Sequence, residues 1–172
     1  RAGGIFDEGV KEESRHTFGA RAWRNGDGFV YNFEVAYQFG KFGTGNINAF
    51  GISSEIGYRF SNVKGNPAVK LKNDYISGDK IKADAKLGTS NAIYPNGGYF
   101  GINPQAGPAN LISIHPNLTW NLTRNITITG AVVFNWRSTL QDGVYDPNGS
   151  LRLSSSDSRK RYIGTAYTTS FS

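Results

Sequence analysis

Hydrophobic residues recur at every second position through most of this chain. From Phe29 to Phe39 the odd positions are Phe29, Tyr31, Phe33, Val35, Tyr37 and Phe39, and the even positions from 32 are Asn32, Glu34, Ala36 and Gln38. Period two puts these two sets on opposite faces of one strand. The next segment repeats the pattern with Phe50, Ile52, Ser54, Ile56, Tyr58 and Phe60 against Gly51, Ser53, Glu55, Gly57 and Arg59. Five further segments fit. Phe18, Ala20 and Ala22 alternate with Gly19, Arg21 and Trp23. Val69, Leu71 and Tyr75 alternate with Lys70, Lys72 and Asp74. Ile112, Ile114, Leu118, Trp120 and Leu122 alternate with Ser113, His115, Asn117, Thr119 and Asn121. Ile126, Ile128, Val132, Phe134 and Trp136 alternate with Thr127, Thr129, Asn135 and Arg137. Ile163, Tyr167 and Phe171 alternate with Gly164, Ala166, Thr168 and Ser170. The pattern predicts seven strands and no amphipathic helix.

The connections alternate in length. Asn25–Gly28 is short, Gly40–Asn46 longer, Ser61–Pro67 short and turn-like, Ser77–Ala109 very long, Thr123–Asn125 very short and Ser138–Lys160 long. Outer-membrane barrels connect their antiparallel strands in this way, with tight turns at one end and long loops at the other. The expectation is an all-β, up-and-down transmembrane barrel wall of about seven strands, one domain over residues 1–172, with external loops at about 77–109 and 138–160.

The charge distribution agrees. In these seven segments every Lys, Arg, Asp and Glu falls on the polar face: Arg21, Glu34, Glu55, Arg59, Lys70, Lys72, Asp74 and Arg137. A charge facing the bilayer midplane costs about 2–4 kcal/mol, so hydrocarbon would select a charge-free face. The expected lipid-facing set includes Phe29, Tyr31, Phe33, Tyr37, Phe39, Phe50, Tyr58, Trp120, Phe134 and Trp136, with aromatics toward the strand ends where interfacial girdles sit. The expected pore-lining set is Arg21, Glu34, Glu55, Lys70, Lys72, Asp74, His115 and Arg137. The eight charged groups are five bases and three acids, which favours anions. A hairpin register pairing Phe39 with Phe50 would put Glu34 opposite Glu55, with Arg21 and Lys72 flanking them in a transverse ladder Arg21–Glu34–Glu55–Lys72. A soluble β-sandwich, its core lined by the apolar face, is the competing reading, and a carbohydrate-binding module would be its function.

Composition narrows the function classes. The 172 residues contain no Cys and no Met, carry +6 with His neutral, and include 3 Trp, 9 Tyr and 11 Phe. Without Cys there is no disulfide framework, thiol nucleophile or Cys-based zinc site. The longest purely apolar run, Ala131–Phe134, is far short of the roughly 18 residues of a spanning helix. No leader with a charged and then apolar pattern opens the chain at Arg1, so export is argued from the strands. Nucleic-acid binding through aromatics and bases would need both on one face, and here they segregate, apart from Trp23 and Tyr162.

Other patterns add little. Asn117-Leu-Thr119, Asn121-Leu-Thr123, Asn125-Ile-Thr127 and Asn148-Gly-Ser150 match a glycosylation pattern that Asn and Thr on a polar strand face produce by chance. Gly43-Thr-Gly45 lacks the Lys and remaining Gly of a phosphate loop. His16 and His115 have no metal spacing, and His115 reads as a satisfied wall histidine. No catalytic set and no cofactor are expected. Arg159-Lys160-Arg161 reads as a solvated loop end, with anionic headgroups as a sharper alternative.

Several stretches resemble the alginate-export family of outer-membrane barrels: Arg15–Trp23, Tyr31–Gly40, Lys86-Leu-Gly-Thr89, Tyr94–Gly101, Gly107-Pro-Ala-Asn-Leu-Ile-Ser-Ile-His-Pro116 and, more weakly, Asp142–Gly149 and Arg161–Gly164. The resemblance implies a bacterial outer-membrane channel for an anionic polysaccharide, in contact with lipid and lipopolysaccharide and larger than seven strands. It also implies lumenal bases, for which Arg21, Lys72 and Arg137 occupy matching positions. The loop beyond Asp79 departs from the family in carrying Lys80, Lys82 and Lys86, which removes the basis for a cation there. An odd strand count predicts an incomplete barrel wall. A further strand within Asn91–Asn103 would instead allow a small closed barrel of eight.

Overall fold

A computed structural model describes residues 4–92 and 106–172. The Tyr94–Gly101 stretch and the site of any extra strand after residue 92 lie outside the described residues. The long strands are β3 (Glu13–Arg24), β4 (Gly28–Phe42), β5 (Gly45–Arg59), β6 (Ala68–Ile76), β8 (Leu111–Asn121), β9 (Thr127–Arg137) and β12 (Tyr162–Phe171). They are the seven that the periodicity predicts. Short strands accompany them: β1 (Gly4–Phe6), β2 (Gly9–Lys11), β7 (Lys86–Leu87), β10 (Val144–Tyr145) and β11 (Leu151–Leu153).

The long strands form one antiparallel meander in chain order, from β3 at one edge to β12 at the other. The sheet is open: β3 and β12 do not pair, so a closed small barrel is not what these strands build. β7 adds a parallel pair to β5 through Asn46↔Lys86 and Ile47↔Leu87, beyond the point where β6 leaves β5 at Gly51↔Ile76. The β1–β2 and β10–β11 hairpins stand apart from this sheet.

The β4–β5 connection is tighter than expected. Phe42 pairs with Gly45, so only Gly43 and Thr44 turn the chain. Gly43 has φ +58, the left-handed value that the first central residue of a type II′ hairpin turn requires. The register also differs by two residues from the one read in the sequence. Tyr37, not Phe39, opposes Phe50, and Phe39 opposes Asn48. The turn closes at Phe42 and Gly45, so beyond the expected Phe39–Phe50 pair the second strand gains two residues more than the first, and every rung shifts. Glu34 therefore faces Ser53, and Glu55 faces Asn32, which removes the like-charge rung. The outer parts of the ladder stand, with Arg21 opposite Glu34 and Lys72 opposite Glu55.

The apolar face is uncovered. Phe29, Phe33, Val35, Tyr37, Phe39, Ile52, Ile56, Tyr58, Val69, Leu71, Leu118, Trp120, Tyr167 and Phe171 are all exposed, and no second β layer lies over them among the described residues. Two aromatic clusters mark the ends of this face. Near the long-loop end, Tyr37 stacks with Phe39, Phe50 with Tyr75, Phe134 with Trp136, and Tyr162 lies against Trp136. Near the short-turn end, Phe29 lies against Tyr31 and Tyr58 against Phe60. Because β3 and β4 run further than the periodicity indicated, Lys41 and Arg24 also fall on this face, at its two extremes. Lys41 pairs with Asn46 at the long-loop end, and Arg24 pairs with Tyr31 toward the other.

The buried apolar clusters lie on the other face, at the long-loop end, while Val30, Ala68 and Val133 are buried outside them. Phe6, Phe42, Ile47, Ala49, Leu87, Ala109 and Tyr145 form one cluster. Ala106, Leu111 and Val144 form another, with Ile76 and Ile163 packed against it. Ile163 thus corrects its expected place on the apolar face. The β9–β12 register shifts between Tyr162 and Gly164, and the bulge turns Ile163 inward while Tyr162 joins Trp136 outside.

Candidate functional site

Cross-strand pairing arranges the polar face in rows. One row reads Arg21, Glu34, Ser53, Asp74, Ser113 and Asn135. The next, toward the short turns, reads Trp23, Asn32, Glu55, Lys72 and His115. Lys70 and Asn117 follow, opposite each other. Seven of the eight predicted wall residues thus lie in three adjacent rows. Lys70 Nζ donates to Glu55 Oε1 at 2.9 Å, one row from the register partner Lys72. Arg21 Nε donates to Asn32 Oδ1 at 2.8 Å. Asp74 is buried and Arg21 and Glu34 are exposed.

Arg137 departs from the pore-lining expectation. It belongs to the polar face, one row beyond Asn135, but it is only 1% exposed. Its guanidinium donates to Lys160 O at 2.9 Å, Ser158 O at 2.7 Å and Asp142 O at 3.3 Å. It braces the loop after β9. Sequence periodicity gives its face correctly but cannot show that a loop folds over it.

That loop is part of a cap. Residues 4–12, those from Ser77 to Ala92, those from Ala106 to Asn110 and those from Ser138 to Arg161 form this cap at the long-loop end of the polar face. Asp142 is one hub. Its Oδ2 accepts from Thr89 Oγ1 at 2.6 Å and Asp79 N at 2.8 Å, and its Oδ1 accepts from Tyr145 OH at 2.6 Å and Gly143 N at 2.7 Å. Tyr145 OH in turn accepts from Asp7 N at 3.0 Å. Asn110 is a second hub. Its amide donates to the carbonyls of Thr139, Asp142 and Gly143 at 2.9–3.0 Å, and its Oδ1 accepts from Ser138 Oγ and Thr139 N. Gln38 on β4 anchors the loop after β7. Its amide donates to Asn91 O at 2.6 Å, and its Oε1 accepts from Asn91 N at 2.9 Å and Arg15 Nη1 at 2.6 Å. Arg15 also donates to Thr89 O at 3.0 Å and pairs with Glu13. Backbone contact is close enough that a Cβ on Gly107 would lie 1.9 Å from Asp146 O.

Asp142, Asn110, Thr89 and Tyr145 escape a search for charged wall residues. A different signal marks them: they belong to the Lys86–Thr89, Gly107–Pro116 and Asp142–Gly149 stretches that carry the family resemblance. Stretches scattered through the sequence converge on one hydrogen-bonded cap.

One cap carboxylate titrates in an accessible range. Burial, then the nearby Glu8 and Asp142 carboxylates, push the Asp79 carboxyl up from 3.8 to about 6. Its Oδ2 has no hydrogen-bond partner, and its backbone N–H donates to Asp142. A raised carboxyl pKa means that the folded cap binds a proton that the unfolded segment releases. The stabilisation is present below about pH 4 and is lost as pH rises through about 6. Limited proteolysis of the cap across pH 4–7 should therefore show increasing cleavage with pH, and Asp79→Asn should flatten this profile.

The exposed apolar face, charged only at its two extremes, the charged opposite face and the inward-packed loops invert the layering of a water-soluble sheet, and the comparisons with known proteins point the same way. A family model described as alginate export matches residues 2–170. No curated protein and no solved structure matches the chain. The chain belongs to the alginate-export family of outer-membrane β-barrel transport proteins.

Proposed function

We propose that this sheet is part of the wall of an outer-membrane channel that exports a hydrophilic, anionic polysaccharide along its polar face. The observation that carries the reading is the inverted distribution of side chains. A continuous apolar face stays exposed while charged residues crowd the other side, as expected where lipid is outside and water inside. Phe29, Tyr31, Phe33, Tyr37, Phe39, Phe50, Tyr58, Trp120, Phe134 and Trp136 are then the lipid-facing set, with lipid and lipopolysaccharide as the surrounding partners. Arg21, Glu34, Glu55, Lys70, Lys72, Asp74 and His115 line the lumen. Arg137 acts beneath the cap.

Bases that stay at least partly exposed set the selectivity. With Arg137 and Asp74 buried, Arg21, Arg59, Lys70 and Lys72 remain against Glu34 and Glu55. A low-dielectric wall focuses that excess of positive charge into the lumen. Reversal potentials of the complete barrel in planar bilayers under a salt gradient test this. Wild type should prefer anions, and the double substitution Arg21→Glu and Lys72→Glu should move the reversal potential toward cation selectivity. An unchanged potential would reject electrostatic guidance by these residues. The cap over the long-loop end restricts passage at that mouth.

A further inference from the structure

Trp23 breaks the segregation of aromatics from charges. It faces the polar side opposite Asn32, at the short-turn end of β3. The polar face of the long strands offers one other carbocyclic ring among the described residues, that of Phe42, which is buried under the cap. Trp23 is 63% exposed. The Arg21 guanidinium lies 5.1 Å from its ring centroid and uses one of its five donors on Asn32 Oδ1. Arg21 thus covers one face of the indole and is itself held by a neighbouring strand. Strand alternation fixes Trp23 on this side, so a strand added beside β3 would not bury it.

We propose that Trp23, Arg21 and Asn32 form a subsite for one carboxylated sugar ring of the passing chain, near the short-turn mouth. The inference rests on the channel reading and adds a binding position to it. An indole face accepts the C–H face of a pyranose, burying apolar area at little entropic cost because Trp has two side-chain torsions. The guanidinium forms charge-assisted hydrogen bonds to the sugar carboxylate, and the Asn32 amide is placed for a ring hydroxyl. Along the same row, Glu55, Lys72 and His115 offer further polar groups. Toward the cap, the Gly19–Ala36–Gly51 row leaves a smooth floor.

Two measurements on the complete barrel separate this subsite from the channel reading. Calorimetric titration in detergent micelles with a short oligouronide, and with a neutral oligosaccharide of equal length, reads binding. Conductance in planar bilayers reads the pore. Trp23→Ala should weaken oligouronide binding on the order of tenfold, a typical effect of losing one stacked ring. Trp23→Phe should retain most of the affinity, and Arg21→Gln should weaken the oligouronide while leaving the neutral sugar unchanged. Oligouronide binding that Trp23→Ala does not alter, or no binding by wild type, overturns the subsite even where the pore conducts. Trp23-dependent binding by a protein that does not conduct keeps the subsite and rejects the channel.

Discussion

Replacing Val35 with Arg should destabilise the membrane-inserted protein by about 2–4 kcal/mol, whereas the same change at the adjacent Ala36 should cost far less. Both residues lie in the middle of β4, and only the face differs. Val35 is 46% exposed on the apolar side. Its cross-strand neighbours are Ala20 and Ile52, which offer a guanidinium no partner. Ala36 sits between Gly19 and Gly51 on the polar side, where a long side chain has room and Glu34 and water are near.

The depth of Val35 follows from strand geometry. Lys41 marks one extreme of the apolar face on β4, and Tyr31, paired with Arg24, lies near the other. The ten-residue step between them covers about 34 Å at roughly 3.4 Å per residue. A tilt of about 40° reduces this to roughly 26 Å, the height of the apolar band on an outer-membrane barrel. Val35 and Ala36 lie at its centre, where an unpaired cation costs most. Urea titration of folding into lipid vesicles, read by heat-modifiable gel migration, supplies both free energies. Equal costs at the two positions would reject lipid as the medium against the apolar face.

The wall was legible because its physics is local. Each of the seven long strands carries its own alternation, and alternation alone decides which side Glu34, Lys72 or Ile52 takes. Register was less legible. It depends on where a turn closes, and the Gly43-Thr44 turn is centred one residue earlier than a Phe39–Phe50 pairing implies, which shifts the register by two. That shift separated Glu34 from Glu55. The bulge at Tyr162–Gly164 reversed Ile163 for a similar reason, since one extra residue is invisible to a period-two pattern. The cap was the least legible part. Asp142, Asn110 and Gln38 acquire their roles from partners that include groups 23–63 residues distant, and no periodicity encodes such contacts. The trace left in the sequence is the set of short stretches on which the family resemblance rests.

The cap should fail as a unit when Asp142 is changed. It is 1% exposed, and its carboxylate accepts from four donors on two segments: Asp79 N and Thr89 Oγ1 on one, Gly143 N and Tyr145 OH on the other. Asp142→Ala leaves these donors buried without an acceptor, at about 1–3 kcal/mol for each one that water cannot reach. Asp142→Asn keeps the shape but turns an amide N–H₂ toward two of them, so it too should open the cap. Tyr145→Phe removes a single donor and should be milder. A sum of several kcal/mol exceeds what a cap of short strands and loops retains, whereas the seven-stranded meander does not depend on these bonds. The expected result is selective: rapid proteolysis within residues 138–161 and 77–92, an unchanged heat-modifiable barrel, and higher single-channel conductance as the mouth is uncovered. Cleavage without a rise in conductance would show that the cap does not restrict the path. Resistance of both Asp142 variants to protease would show that the apolar clusters around Tyr145 and Leu111, rather than this hydrogen-bonded hub, hold the loops on the wall.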